Sequence, residues 1–138
     1  MNITARVANK KGEHKVSLRT DDREHSLMIP PKQDGFGSSA NGGELLFLAL
    51  ATCYCNDIYR EARKRGLDIR GLEVEVTGEF GQEGEGARNI VYCASVAAKA
   101  PREEILDLMR HTDSVAEIQN AVRSSSPVVL LQCEAFEA

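Results

Sequence analysis

The stretch LALATCYCND, residues 48–57, sets two thiols, Cys53 and Cys55, where an apolar run turns polar at Asn56 and Asp57. A cysteine so placed is either a small hydrophobe filling a core or a nucleophile held in a water-poor pocket. Two residues span about 200° around a helix, so Cys53 and Cys55 point away from each other and cannot act as a redox pair without breaking the helix. Asp57 lies one turn beyond Cys53 on the same face. A carboxylate there raises the thiol pKa, so a working Cys53 thiolate requires an Arg or Lys close by. Cys93 and Cys133 fall in strand-like patterns and read as buried small hydrophobes. His14, His25 and His111 have no paired spacing with one another or with the cysteines, so a zinc site would have to be assembled wholly by tertiary contacts and no metal is expected. No His neighbours the helix that bears Cys53, which leaves a Cys–His pair unsupported. The glycines of GFGSSANGGE are not followed by GK[ST], so no phosphate cradle and no cofactor is expected.

The helix that must carry Cys53 has readable ends. Asn41 can cap the first turn with Glu44 three residues later completing a box-like pair, Arg63, Lys64 and Arg65 suit the last turn, and Gly66 can take the left-handed stop. From Leu45 to Cys55 the segment is apolar on every side, which predicts that protein surrounds it, while NDIYREARKR should emerge into solvent. Before it, the first thirty residues read as three short strands with turns at Gly12 and at Asp21–Asp22, followed by a Gly- and Ser-rich loop over residues 31–43. After it, LDIRGLEVEVTGEF alternates Leu72, Val74 and Val76 against Glu73, Glu75 and Thr77, and RNIVYCASVAAK forms the second strand of a hairpin. APREEILDLMRHT predicts a helix with Pro101 near its start and Ile105, Leu108 and Met109 on one face. SVAEIQNAV predicts a second, short helix with Ser114 and Glu117 as its capping box, and SSSPVVLLQCEAF predicts a closing strand.

Length and composition fit one domain over residues 1–138 and an ordinary globular balance, with 42% apolar and 28% charged residues. No run approaches the roughly 18 apolar residues of a membrane span, and the N-terminus lacks a secretory pattern, so a cytoplasmic location with reduced thiols is expected. A net charge of −4 with both signs spread along the chain offers no basic stripe for nucleic acid.

The stretch GGELLFLALATCYCNDIYREARKRGLDIRGLEVEVTGEF resembles the OsmC family, which includes the organic hydroperoxide resistance proteins. There a Glu-led apolar helix carries a cysteine, runs to an ARKRG-like end and is followed by a GLEVEV-like strand. The order of elements matches over about residues 13–137, most specifically over 42–80. The resemblance implies an α+β fold in which antiparallel sheets surround the long Cys-bearing helix of an intertwined homodimer. It also implies thiol peroxidase chemistry with Cys53 as the peroxidatic residue and Glu44 as the glutamate that holds an activating arginine. The chain departs from the family pattern in three places. Ala116 stands where the second, resolving cysteine belongs, Gly42–Gly43 replaces a proline before the glutamate, and Arg6, Arg19 and Arg23 match no clear motif for the arginine. Nine residues is about 180° around a straight helix, so Glu44 and Cys53 face opposite ways and could share a site only through another element or a partner chain.

The expected activity is therefore one-cysteine reduction of an organic hydroperoxide, with an external thiol or dithiol resolving the sulfenate. The alternatives are a non-catalytic protein that binds a small apolar ligand, and a Cys53 that serves packing alone.

Overall fold

The computed structural model describes residues 1–137. The chain runs β1 (Ile3–Lys10), β2 (Glu13–Thr20), β3 (Arg23–Ser26), α1 (Gly42–Arg65), β4 (Ile69–Glu79), β5 (Arg88–Ala98), α2 (Arg102–Val115) and α3 (Glu117–Arg123). It is an α+β fold with two antiparallel sheets, β1-β2-β3 and β4-β5, as the sequence predicts. Two compact units are present, Met1–Leu46 and the part from Phe47 onward, and α1 begins in the first and continues into the second.

In the first unit the two turns fall where expected. Gly12 adopts φ +77°, a left-handed backbone open to glycine, and its N–H donates to the Gly35 carbonyl at 2.8 Å. Asp21 turns the chain between β2 and β3 and accepts the Asn2 N–H on Oδ1 at 2.9 Å. β3 ends at Ser26, short of the apolar Leu27 and Met28, with one further backbone bond from the Leu27 N–H to the Val16 carbonyl of β2 at 3.2 Å. The loop over residues 31–43 closes through a Pro31–Ser38 bridge and through Asn9, whose amide exchanges hydrogen bonds with the backbone of Gly37.

Both ends of α1 follow their sequence signals. The Glu44 N–H donates to Asn41 Oδ1 at 2.8 Å and the Asn41 N–H donates to Glu44 Oε1 at 2.9 Å, a reciprocal box that satisfies two backbone donors. Gly66, at φ +67°, ends the helix, and Leu67 N–H returns to the Ala62 carbonyl at 2.9 Å.

The burial along α1 follows one stripe instead of the expected split into halves: Leu50 and Tyr54 are buried in the first half, and Asn56, Tyr59 and residues 63–65 are exposed in the second. In the isolated chain Leu48 is 56% exposed, whereas Asp57, Ile58, Glu61 and Ala62, in the half expected to reach solvent, are buried. The reason is tertiary. Tyr54, Ile58 and Ala62 form one stripe that packs with Leu108 of α2 and against Leu72 and Val74 of β4 and Ala94 and Val96 of β5. The hairpin supplies this wall because its inward positions alternate, Leu72, Val74 and Val76 facing in and Glu73, Glu75 and Thr77 out. Cys93, directly opposite Glu75, lies on the outward side and is exposed, which corrects its reading as a buried hydrophobe.

Two further expectations are corrected in the C-terminal part. α2 continues through Val115, so Ser114 lies inside it and donates to the His111 carbonyl at 2.6 Å instead of capping the next helix; α3 starts after a break at Ala116. Residues 127–137 form neither helix nor strand. Among the described residues no strand pairs with them, and without a ladder the backbone pattern has nothing to complete it. Val128, Leu130, Leu131 and Cys133 are all exposed. No helix is long and apolar enough to cross a membrane among the described residues.

Candidate functional site

α1 places Cys53, Asp57 and Arg60 on one face, since steps of four and seven residues return to the same side of a helix. The break at Ala116, with φ −71° and ψ 111°, turns the chain so that the first turn of α3 lies against that face. Gln119 anchors the approach by donating Nε2 to the Leu50 carbonyl at 2.9 Å, within the buried region. The outcome is a compact group of four side chains from α1 and α3.

Cys53 Sγ lies 3.5 Å from Asp57 Oδ2 and 3.8 Å from Glu117 Oε2, so its single S–H can donate to either carboxylate. Arg60 bridges the same two acids: its Nη1 is 3.0 Å from Asp57 Oδ1 and 2.7 Å from Glu117 Oε1. Its Nε donates to Glu61 Oε2 at 2.8 Å. Glu61 also accepts Lys64 Nζ and His111 Nε2, each at 3.0 Å. His111 thus reaches α1 after all, but at Glu61, two turns past the thiol.

The electrostatics follow from this packing. Burial pushes the Cys53 thiol up; the Ile118 backbone N–H opposes that, while the Asp57 and Glu117 carboxylates add to it. Asp57 is pushed up to about 6, first by burial and then by the neighbouring Glu117 carboxylate, with Arg60 pulling the other way. Glu117 is held below its ordinary value, first by Asp57 and also by Arg60. Glu61 falls to about 2, because Arg60 and then Lys64 stabilise its charge. Near neutral pH the site therefore holds a protonated thiol beside two acids that share one guanidinium.

Of the residues expected to carry chemistry, Cys53 stands in this group and Asp57 contacts it as its spacing implies. Glu44 carries the α1 cap, and its role in a reaction is untouched by that geometry. Arg60 was missed in favour of Arg6, Arg19 and Arg23, although its spacing of seven residues from Cys53 on α1 is the signal that could have found it. Glu117 is 64 residues from the thiol, and its local pattern pointed to a cap, so only the tertiary fold reveals it. Cys53, Asp57 and Glu117 also present three metal-type ligand atoms within 4.8 Å of one another. Arg60, already seated on both carboxylates, disfavours a cation there by its own charge.

A family model described as OsmC-like protein matches residues 35–130. No functionally curated protein matches the sequence. Among solved structures, an OsmC-like protein from Mycoplasma pneumoniae is similar with a TM-score of 0.62 and 21% identity, over 91% of this chain and 88% of that one. An organic hydroperoxide resistance protein from Elizabethkingia anophelis gives a TM-score of 0.57 and 18% identity over 89% of each chain. Another, from Legionella pneumophila, gives 0.52 and 17% over 89% of this chain and 90% of that one. At these identities the likeness is one of fold.

Proposed function

This chain belongs to the OsmC-like protein family, and we propose that it reduces organic hydroperoxides, or a related electrophile, through Cys53 as a one-cysteine peroxidatic residue. The observation that carries this reading is the half-buried Cys53 thiol in hydrogen-bond reach of Asp57, a carboxylate able to exchange a proton near pH 6. Sulfur attacks the outer oxygen of ROOH as the O–O bond breaks. The thiol proton passes by way of Asp57 to the departing alkoxide, giving Cys53–SOH and ROH. An external thiol then displaces water from the sulfenic acid, and a second thiol frees Cys53 while the two external sulfurs leave as a disulfide.

The need for an external thiol follows from the chain itself. The position where the family resemblance expects a second cysteine is Ala116, which directly precedes Glu117 at the thiol. Cys55 points to another side of α1, and Cys93 and Cys133 are exposed. A reducing cytoplasm would supply the co-reactant. Glu44 enters as the residue that fixes the start of α1 through Oε1, with Oε2 left for an arginine from a second chain. Homodimerisation belongs to the same proposal, supported by the exposed Leu48 and by the exposed, unpaired Val128–Leu131. Light scattering should give twice the chain mass; a monomer at micromolar concentration would remove the dimer from the reading.

The decisive test treats the reduced protein with one equivalent of an alkyl hydroperoxide and a sulfenic-acid trap. An adduct at Cys53 that is absent in Cys53→Ser supports the activity. No adduct, or one spread over all four thiols, overturns it.

A second reading, a non-catalytic protein for a small apolar ligand, is favoured by an open groove of about 570 Å³ within the first unit, lined by Val16, Leu27 and the exposed Met28 with Arg6, His14 and Lys15 beside them. A co-purifying apolar ligand retained by Cys53→Ser would support it over the redox reading.

A further inference from the structure

Glu117 completes no side-chain cap on its own helix, yet it reaches a thiol that the fold half-buries, Cys53. We propose that Glu117 restrains Cys53: carried over the thiol by the break at Ala116, its carboxylate opposes formation of the thiolate and engages Arg60, the cation on the thiol's own helix face. The consequence for turnover rests on the peroxidatic reading above, whereas the restraint itself is a property of the thiol.

Three observations support it. Glu117 Oε2 stands 3.8 Å from Sγ, close enough for its charge to raise the cost of a second negative charge on sulfur. The other oxygen, Oε1, lies 2.7 Å from Arg60 Nη1, shorter than the 3.0 Å from that nitrogen to Asp57, so the guanidinium serves α3 at least as fully as it serves the site. The Glu117 side chain is also 60% exposed, which makes it the one acid of the group free to swing outward without crossing packed protein.

The same turn of α3 carries the opposite influence, since the Ile118 N–H favours charge on the sulfur. With Glu117 in place its carboxylate offsets that donor; with Glu117 withdrawn, Asp57 is the one carboxylate left beside Cys53 to oppose it. The nearby acids and the tyrosine on the elements packed around the site make their bonds away from the thiol. Glu61 does not touch the thiol and holds Arg60 through Nε together with Lys64 and with His111 of α2, and Asp113 of α2 holds Arg123 of α3 and Tyr92 of β5. Tyr54 donates to the Met109 carbonyl. Glu117 and Asp57 are thus the acids that decide the thiol's charge, and Glu117 is the exposed one.

The test measures the rate of Cys53 alkylation by iodoacetamide against pH, in full-length protein with Cys55, Cys93 and Cys133 replaced by Ser. Glu117→Gln should raise the rate at pH 7 by about threefold or more and move the inflection to lower pH, because alkylation follows the thiolate fraction. Glu117→Asp, which keeps a charge, should stay closer to the parent. Glu117→Ala provides the same readout if the Gln variant is poorly folded, and retention of fold is checked by circular dichroism. An unchanged profile overturns the restraint, and so does a slower one, which would make Glu117 the proton acceptor. Alkylation needs no hydroperoxide, so the two proposals fail separately. A Cys53 freed by Glu117→Gln that never forms a sulfenate sinks the peroxidatic reading alone; a trapped sulfenate with an unmoved alkylation profile sinks the restraint alone.

Discussion

Glu44 and Glu117 each stand in the first turn of a helix, three residues after a side chain able to cap it, and they do different work. Glu44 turns back to accept the Asn41 N–H, closing the end of α1. Glu117 completes no such box and reaches across to Arg60 and Cys53. The difference lies in what precedes each. Gly42 and Gly43 follow a loop that lets Asn41 stand outside α1, whereas Ser114 is enclosed in α2, whose hydrogen bonds run on to Val115. A carboxylate with no cap to complete is available to a neighbouring element, and here the neighbour is the face that carries the thiol.

The strongest way to break this contrast is to remove what Glu117 holds. Arg60 compensates two largely buried acids, Asp57 and Glu61, as well as the exposed Glu117. Arg60→Met should lower stability by about 2 kcal/mol, less than the loss of a fully buried partner because the guanidinium is partly in water. The pH dependence has a definite sign. Asp57 has a folded pKa near 6, above its ordinary value, so protonated Asp57 favours the folded state at low pH and that contribution disappears as pH rises through 6. Without Arg60 the carboxyl rises further. The deficit of Arg60→Met should therefore be larger at pH 8 than at pH 5 in urea denaturation. Equal losses at the two pH values would show that Asp57 does not depend on Arg60. Glu61 contributes with the opposite sign, losing its stabilisation as pH falls toward 2, and so lies outside this window.

Most of the fold was legible because local rules and tertiary contacts agree. Gly12, the Asn41–Glu44 box, Gly66 and the alternation of Leu72, Val74 and Val76 each specify a feature within a few residues, and each appears where expected. The sequence was less informative where a residue's fate depends on distant packing. The apolar first half of α1 leaves Leu48 exposed in the isolated chain, while the polar second half buries Asp57 and Glu61 because an Arg, a Lys and a His arrive to pair with them. Cys53 and Asp57 could be read as neighbours from a spacing of four. Glu117 could not, since it reaches the thiol only through the break at Ala116. The tail, residues 127–137, has the composition of a strand, yet strand formation requires a partner, and none pairs with it among the described residues.

A finer comparison sets the two capping positions side by side. Asn41→Ala removes the acceptor for the Glu44 N–H and should cost about 1 kcal/mol, the ordinary worth of a helix cap. Ser114→Ala removes only a hydroxyl that bonds back to the His111 carbonyl within α2, and it places a better helix former at an exposed position. Its effect should stay within about 0.5 kcal/mol in either direction. Thermal or urea denaturation of the two variants measures both. Comparable losses would mean that Ser114 caps α3 in solution. The Glu117 backbone would then be held as Glu44 is held, and the reach of its side chain to Cys53 would no longer follow from the lack of a cap.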